Sequence, residues 1–350
     1  MSVSKPLVSI IILNYNAGEL LFNCVESVFK SDYKNIDLII VDNASNDKSY
    51  LKCKEDFKEI QLIENKENLG YCEGNNTGIR HAKGEFIVIL NPDTIVKPNW
   101  LDEFLKAYSK FGDALYQPKI LSLYEEKILQ STGNMIHLFG FGFSRSKGIK
   151  DENQFKEIEK IGYASGTCLF TSSKVLSKIG LLDPFLFLYH DDLDLGWRAS
   201  QMGINSYFVP NAEIFHVESY MLKWSSKKFY WLERNRKYCL LTHFSKDTYK
   251  KMRLTLLFID FLVWIFYIKK GFVGAKIKAE WDIKKNKEHI KKKYLELENK
   301  KIVQDSELIK KFPDKIFVPV NVAKENINNS FNLVLEKLSK KVKVKIFKEN

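Results

Sequence analysis

The stretch that decides the fold is residues 8–16, which read VSIIILNYN. Its first six residues are almost all apolar, and four of them are β-branched. Such a run is typical of a strand buried on both faces, as in a parallel sheet covered by helices. Asn14 and Asn16 follow at once, so this strand is predicted to end in a polar loop.

Strand and helix patterns alternate from this stretch to about residue 120. Further strands are predicted at 37–41, 60–63 and 86–90, with a helix over 71–82 before the last of them. Strands separated by helices of this length imply parallel pairing through right-handed crossovers. The sequence therefore predicts an α/β fold with a mostly parallel central sheet.

Polar residues lie where these predicted strands end: Asn14, Asn16, Asp42, Asn68 and Asp93. In open α/β sheets, ligands bind outside the carboxyl ends of the strands. We therefore expect a ligand site at this edge. Residues 131–166, rich in Gly, Ser and aromatic residues, are predicted to form a long mobile loop beside it.

Asp93 belongs to the segment 90–94, LNPDT, which directly follows an apolar strand. A proline turn at this point would project the carboxylate into the crevice above the sheet. Mg²⁺ and Mn²⁺ take oxygen ligands, usually one or two carboxylates together with substrate phosphates. Asp93 is therefore predicted to be a metal ligand.

A second acidic cluster lies in residues 189–198, YHDDLDLGWR. With a helix predicted to start near Leu193, Asp191 and Asp192 would lie at its N-terminus, where the helix dipole favours negative charge. One of them can cap the helix, and a carboxylate near an acceptor hydroxyl can act as a general base. Both remain candidates for that base.

His216 follows a strand predicted at 206–209 and Pro210. A single histidine in such a place is more often structural than a ligand. It becomes a candidate metal ligand only if the fold brings it close to Asp93.

Taken in this order, the motifs resemble glycosyltransferase family 2, the inverting enzymes of GT-A fold, and in particular its rhamnosyltransferase-like members. The resemblance covers about residues 7–240 and rests on the segments 8–16, 41–45, 67–70, 74–78, 90–93, 166–167, 180–184, 191–195 and 209–216.

The resemblance also implies how the donor nucleotide is bound. It implies that Asp42 reads the nucleotide base and that further polar residues contact the nucleotide: Asn14, Asn16, Asn68, Asn76, Asn91 and Asp93.

The same resemblance assigns the metal and the base. Asp93 matches the last aspartate of the family's Asp-x-Asp motif, which holds Mg²⁺ or Mn²⁺ on the diphosphate, and Asn91 occupies the first position. His216 matches a histidine that completes the metal site in some relatives. Asp192 matches the catalytic base, and Asp191 precedes it.

Charge divides the chain in two. Residues 1–219 carry a net charge of −6 and residues 220–350 a net charge of +18. Within the basic part, residues 254–268 read LTLLFIDFLVWIFYI, which is shorter than the roughly 20 residues of a spanning helix and contains Asp260. This stretch is predicted to lie in a membrane interface; a buried helix and a true membrane span are the alternatives.

These patterns predict a GT-A catalytic domain over 1–220, with a nucleotide-binding half (1–120) and an acceptor half (121–220). A basic helical extension over 221–350 would associate with a membrane rather than with nucleic acid. The five cysteines are scattered, as in a reduced compartment. We expect the protein to be cytoplasmic and peripheral on the inner face of the cell membrane.

The predicted function is inverting transfer of a sugar, with rhamnose favoured by the resemblance, from a nucleotide-diphosphate sugar. The acceptor would be a saccharide or a lipid-linked saccharide in cell-surface glycan synthesis. One alternative is a sugar nucleotidyltransferase, but the first strand lacks a Gly-rich loop with a catalytic Arg or Lys. The other is a non-catalytic adaptor that binds membrane or nucleic acid through the basic half.

Overall fold

The computed structural model describes residues 5–217, 225–317 and 325–348, the last of these with side chains from 330 to 347. These residues form two compact units. The first comprises residues 5–134, 144–199 and 204–217, and the second comprises 135–143, 200–203 and the described residues from 225 onwards. Two short segments of the predicted catalytic domain, 135–143 and 200–203, thus belong to the second unit. The assignment of a catalytic domain and a docking region stays a prediction.

The first half of the first unit alternates strands and helices, as predicted. The strands are β1 (Val8–Asn14), β2 (Ile36–Asp42), β3 (Gln61–Glu64) and β4 (Phe86–Leu90), and the helices between them are α1 (Glu19–Phe29), α2 (Ser49–Asp56) and α3 (Gly70–His81). The strands are parallel, in the order β3-β2-β1-β4, with Asn14 opposite Asp42. The polar strand ends therefore meet at one edge.

The sheet continues beyond β4 with strands of both directions. The further elements are β5 (Thr94–Val96), α4 (Trp100–Phe111), β6 (Leu115–Ser122), β7 (Leu129–Ser131), β8 (Asn134–Ile136), β9 (Gly142–Ser144), β10 (Glu159–Ile161), β11 (Cys168–Ser172), α5 (Ser173–Ile179), α6 (Asp191–Gln201) and β12 (Ser206–His216). Strand β11 is antiparallel to β4 and β6, whereas β12 is parallel to β6 and pairs with β5. The predicted mixed α/β architecture is confirmed.

Aromatic rings fill the core where β4, β11 and α4 meet. The ring of Phe170 stacks on Phe86, with 5.1 Å between centroids, and on Phe104, with 5.0 Å. All three side chains are buried. This packing fixes the first residue of β4, the strand whose other end leads into the segment containing Asp93.

The prediction of one long mobile loop over residues 131–166 was wrong. The segment contains β8, β9 and β10, and within the second unit the side chains of Leu138 and Phe139 are fully buried. Gly140 forms a turn inside this segment. Its φ is +79°, and its N–H donates to the carbonyl of His137. The aromatic residues are thereby packed inward.

The second unit is helical in its C-terminal part, with α7 (Ser226–His243), α8 (Lys246–Lys269), α9 (Val273–Lys285), α10 (Lys287–Lys300), α11 (Asp305–Lys311) and α12 (Glu325–Lys348). The apolar stretch 254–268 lies inside α8, so its predicted helix is confirmed. Among the described residues, no helix combines the length and the apolar character that crossing a membrane requires.

Candidate active site

The ends of β1 and β2 are joined by hydrogen bonds between side chains. Asn14 Nδ2 donates to Asp42 Oδ1 over 2.7 Å, and Asp42 Oδ2 accepts from the backbone N–H of Ser45 at 3.0 Å. Both Asn14 and Asp42 are buried. Each carboxylate oxygen keeps a second lone pair. Asp42 therefore organises the loop after β2, and its predicted contact with the nucleotide base stays a prediction.

Asn16 reaches the same loop. Its backbone N–H donates to Ser45 Oγ at 3.0 Å, and its side-chain Oδ1 accepts from the N–H of Asn46 at 2.8 Å. Asn16 has a φ of +53°, a conformation that asparagine tolerates better than most residues. The loops after β1 and β2 thus form one hydrogen-bonded rim at the edge of the sheet.

The side chains of Asn68 and Asn76 form further hydrogen bonds. Asn68 Oδ1 accepts from Asn43 Nδ2 at 3.0 Å and from the N–H of Gly70 at 2.8 Å. Asn76 is buried and forms a reciprocal pair with the backbone of Leu182, donating over 2.8 Å and accepting over 3.1 Å. Asn76 therefore ties α3 to the segment after α5, and a nucleotide contact by either asparagine stays a prediction.

Asp93 and His216 converge, which was the condition for considering the histidine a ligand. His216 Nε2 lies 3.3 Å from Asp93 Oδ2. Asp93 is 4% exposed, and its other oxygen, Oδ1, is buried without a hydrogen-bond partner among the described residues. Leaving a buried charged group unpaired costs more than about 1–3 kcal/mol. A bound cation would remove that cost.

Gln130 fixes the orientation of the His216 ring. Its amide Nε2 donates to the His216 carbonyl at 2.9 Å, so its Oε1 faces His216 Nδ1, at 2.6 Å. An amide oxygen only accepts, so Nδ1 carries the hydrogen. In the neutral ring Nε2 is then a bare lone pair facing the carboxylate of Asp93. That lone pair and the carboxylate can both bind a cation placed between them, so the pair fits a metal ion; a protonated ring would instead form an ion pair with Asp93.

Asn91, the first position of the motif, contacts the neighbouring loop through its backbone. Its N–H donates to the carbonyl of Thr167 at 2.9 Å, and its carbonyl accepts from Thr94 Oγ1 at 2.8 Å. The turn that presents Asp93 is therefore fixed on both sides. The side chain of Asn91 is half-buried. Its predicted contact with the nucleotide stays a prediction.

The second acidic cluster opens helix α6. This helix begins at Asp191, two residues earlier than predicted, so Asp191 and Asp192 lie in its first turn. Asp192 Oδ2 accepts from the N–H of Gly166 at 3.1 Å, and its Oδ1 accepts from the N–H of Leu193 at 2.8 Å. Both oxygens are thereby oriented, and each keeps a lone pair for a proton.

The two carboxyl groups titrate differently. Burial, together with the charge of Asp192, raises the pKa of Asp191 well above its ordinary value. Burial also raises the pKa of Asp192, to about 6, although the N–H groups of Gly166 and Leu193 favour its charged form. The two neighbouring carboxyl groups therefore keep protons to a higher pH than isolated aspartates do, and Asp192 is mostly ionised at neutral pH.

The backbone that leads into α6 is strained. Phe187, Tyr189 and His190 all have φ between +61° and +66°, although none of them is glycine. Each such residue costs on the order of 1–3 kcal/mol, and strain of this kind clusters at functional sites. The Phe187 carbonyl accepts from the N–H of Tyr71 at 2.6 Å, and a Cβ on Gly70 would lie 2.7 Å from that carbonyl oxygen. Only glycine fits at position 70.

Asp194, the third aspartate of the cluster, has a structural role. It is fully buried and bonded to Arg198, one helical turn further on, with 2.8 Å between Oδ2 and a guanidinium nitrogen. Arg198 also donates to the carbonyls of Ile179 and Leu181. This pair compensates the charge of Asp194 and anchors α6 to the segment after α5.

One loop contacts both acidic sites. The Thr167 carbonyl accepts from Asn91, while the adjacent Gly166 donates to Asp192 and accepts from the hydroxyl of Tyr71 at 2.6 Å. The turn that carries Asp93 and the carboxylate of Asp192 therefore border the same loop. Sequence reasoning missed Tyr71 and Gln130, because neither lies in a motif whose spacing indicates its partner.

Comparison with known proteins identifies this arrangement. Residues 9–180 match the family described as Glycosyl transferase family 2. The matched segment belongs to this family. Among curated relatives, the Haloferax volcanii low-salt glycan biosynthesis hexosyltransferase Agl10 is 27% identical, over 56% of this chain and 62% of its own length. The Mycobacterium tuberculosis N-acetylglucosaminyl-diphospho-decaprenol L-rhamnosyltransferase is 23% identical, over 60% and 76%.

Solved structures show the same fold. GalNAc-T7, crystallised with UDP, GalNAc and Mn²⁺, matches with a TM-score of 0.59 at 17% identity, over 72% of this chain and 51% of its own. S. aureus TarS 1–349 matches with a TM-score of 0.51 at 13% identity, over 98% and 92%. The chain therefore has the predicted GT-A fold. It spans less than two thirds of the length of the first curated relatives it matches.

Proposed function

We propose that this chain is an inverting glycosyltransferase that uses a nucleotide-diphosphate sugar and a divalent cation, Mg²⁺ or Mn²⁺. The observation that carries the proposal is the pair formed by Asp93 and His216. Oδ1 of Asp93 is buried without a hydrogen-bond partner among the described residues, and Oδ2 of Asp93 faces Nε2 of His216. A cation at this place would bind to these atoms. The Mn²⁺ and UDP in the structure of GalNAc-T7 support the same chemistry here.

Asp93 and His216 would hold the cation from the protein side, leaving its other positions to diphosphate oxygens and water. When bound, the cation stabilises the negative charge that develops on the departing nucleoside diphosphate. The asparagines and Asp42 at the ends of β1 and β2 would bind the nucleoside.

Asp192 would act as the base. Its carboxylate, oriented by Gly166 and Leu193 and mostly ionised at neutral pH, accepts the proton of the acceptor hydroxyl. The hydroxyl oxygen then bonds to the anomeric carbon, while the bond from that carbon to the diphosphate breaks and the diphosphate keeps the electron pair. The pKa of Asp191 is raised well above its ordinary value by burial and by the charge of Asp192, which makes Asp191 the weaker candidate for this role.

A single displacement predicts that the anomeric configuration of the sugar is inverted. The test offers the protein a panel of nucleotide-diphosphate sugars, including that of rhamnose because of the mycobacterial relative's name. Simple saccharides and lipid-linked saccharides serve as acceptors, and the product's anomeric protons are read by NMR. Inversion with one donor supports the proposal. Retention of the anomeric configuration would contradict it, since a single displacement inverts the anomeric carbon.

We expect Gln130 to control metal affinity through His216. Gln130→Leu should weaken Mn²⁺ binding roughly 10- to 100-fold, because the ring loses the acceptor that fixes its tautomer. Gln130→Glu keeps an acceptor for Nδ1–H and should bind Mn²⁺ far better than the leucine variant. Binding is measured by calorimetry or electron paramagnetic resonance in the presence of nucleotide.

The matched control is Gln154→Leu, which alters an exposed glutamine in the same unit. It should leave Mn²⁺ binding unchanged. Equal Mn²⁺ affinity for wild type and Gln130→Leu would show that His216 does not depend on Gln130, or does not bind the ion.

The acceptor is proposed to be a saccharide or a lipid-linked saccharide used in cell-surface glycan synthesis. The Haloferax relative is named for glycan biosynthesis and the mycobacterial relative for a decaprenol-linked sugar. The first name supports glycan assembly and the second a lipid carrier; the proposed place of this assembly is the inner face of the cell membrane.

A further inference from the structure

Helix α8 carries an apolar face that is not covered by the described residues of its unit. Six large apolar side chains on it are exposed, and all but Phe266 lie on one side of the helix, at spacings of three, four and seven residues: Leu254, Leu257, Phe258, Phe261 and Ile268. Leu254 is 81% exposed and Leu257 59%. Soluble proteins rarely expose contiguous patches of this kind without a partner.

The opposite side of α8 is already packed. Met252, Ile259, Val263 and Tyr267 are buried, and the hydroxyl of Tyr267 donates to the carbonyl of Phe229 at 2.7 Å. The helix is therefore apolar on two faces, of which its own unit covers one. A helix that is apolar all round is normally buried all round, so the second face calls for an external partner.

Asp260 does not interrupt the exposed face. Its carboxylate accepts from Lys276 Nζ at 2.5 Å, and the same ammonium group contacts Glu233 at 2.6 Å and Glu280 at 2.7 Å. Lys276 is fully buried. The acidic residue in the middle of the apolar stretch thus belongs to an internal network of charges.

Helix α9, which follows after a turn at Gly271, repeats the pattern. Val273, Ile277 and Trp281 are exposed at intervals of four residues, and Trp281 is 57% exposed. Of the 17 large apolar residues that are exposed in the described parts of the chain, the majority lie in α8 and α9. We call these exposed apolar residues, with the five of α8, the α8–α9 face.

Basic residues surround this face. Lys250 and Arg253 lie at one end of the exposed stretch of α8 and Lys269 at the other, and all three are exposed. Lys285 of α9 lies over the ring of Trp281, 4.8 Å from its centroid. The exposed acid of α8, Asp247, is paired with Lys251 at 3.0 Å. The charge around the face is therefore strongly positive.

The combination of apolar side chains and surrounding cations selects the partner. A second copy would bring the same positive charge to the contact and be repelled. Nucleic-acid interfaces are polar, so a run of exposed Leu, Ile and Phe side chains does not fit them. A bilayer containing acidic lipids offers both an apolar boundary for the side chains and negative headgroups for the lysines.

We propose that the α8–α9 face binds the surface of an anionic phospholipid bilayer, with α8 lying in the interface. This deepens the proposed function, because it brings the enzyme to lipid-linked acceptors. Lipid binding is measured without donor or metal, so the two proposals can fail separately. The chain could transfer sugar without binding vesicles, or bind vesicles without transferring sugar.

The test is flotation of the full chain with phosphatidylcholine vesicles, with or without phosphatidylglycerol. Wild type should float with the anionic vesicles, and the bound fraction should fall as salt rises. The double variant Leu257→Gln/Phe261→Gln should lower the partition coefficient on the order of 10- to 100-fold, because it removes two exposed apolar side chains from the interface.

Leu51→Gln is the matched control, since Leu51 is an exposed leucine of the first unit at 48%. It should bind as wild type does. Because all these positions are exposed, the thermal midpoint of each variant should be unchanged, which excludes misfolding. Equal flotation with neutral and anionic vesicles, or full binding by the double variant, would overturn the proposal. So would a dimer in sedimentation velocity that the double variant loses.

Discussion

Asp192→Asn is expected to lower kcat by roughly 10²- to 10⁴-fold, the range that a general base contributes. Asparagine keeps the shape, but its single carbonyl oxygen can accept from only one of the N–H groups of Gly166 and Leu193, and the amide cannot take the acceptor's proton. Nucleotide binding should persist. Steady-state kinetics with the accepted donor, beside nucleotide affinity by calorimetry, measure both quantities.

The pH dependence of the wild type follows from the same residue. Burial raises the pKa of Asp192 to about 6, and the base works only when ionised. The rate should therefore fall as pH drops through about 6 and be level above it. In Asp192→Asn this step should be absent. A wild-type rate that stays level well below pH 6 would contradict the assignment.

Asp191→Asn is the matched control, because it changes the neighbouring carboxyl in the same way. Burial raises the pKa of Asp191 well above its ordinary value, and its carboxyl is not assigned the proton of the acceptor, so the loss of kcat should be much smaller. The converse result, with Asp191→Asn inactive and Asp192→Asn active, would make Asp191 the base.

Stability separates lost catalysis from lost folding. For both aspartates the pKa in the folded protein lies above the ordinary value. The folded state then binds more protons than the unfolded state, so the stability they contribute falls as pH rises from about 4 through the raised pKa. Asp191→Asn should therefore not lower the thermal midpoint at neutral pH, whereas Asp192→Asn gives up one of the two N–H contacts to its side chain.

The second large effect is expected for Asp93→Asn. The change removes the negative ligand that faces His216, and a metal ion is worth several kcal/mol to the departing diphosphate, or about 10³-fold in kcat/KM. The variant should bind Mn²⁺ far more weakly. Its thermal midpoint without metal should be unchanged or higher, since a buried unpaired charge is gone.

Thermal shift reads this variant directly. Mn²⁺ with nucleotide should raise the midpoint of wild type by ligand linkage and leave that of Asp93→Asn in place. His216→Ala should lose the same response while Asp191→Asn keeps it. A midpoint that rises equally in Asp93→Asn would place the ion elsewhere.

The sheet was predictable because each of its first strands is an unbroken apolar run closed by polar residues. β4 begins and ends where predicted, and β1 and β2 differ by one residue at their ends. The weaker prediction concerned β12, whose strand was expected to stop at Val209. It continues through Pro210 to His216, because the register shifts between Val209 and Glu213 and accommodates the proline.

The site was predictable in part. The meeting of Asp93 with His216 needed β5 to pair with β12, a long-range contact that no local pattern indicates. Gln130 and Tyr71 act through partners 86 and 95 residues away along the chain. In α8, a sequence that is apolar on both sides could not indicate which side is covered or that Lys276 neutralises Asp260.

The most direct test of the account is release of nucleoside diphosphate from a panel of nucleotide sugars, with acceptor present, in Mn²⁺ or in EDTA. Wild type should release nucleotide from one donor class in Mn²⁺ and not in EDTA. Asp192→Asn should bind that nucleotide without turnover. Release that is unaffected by EDTA, or equal in wild type and Asp192→Asn, would contradict the roles assigned to Asp93, His216 and Asp192.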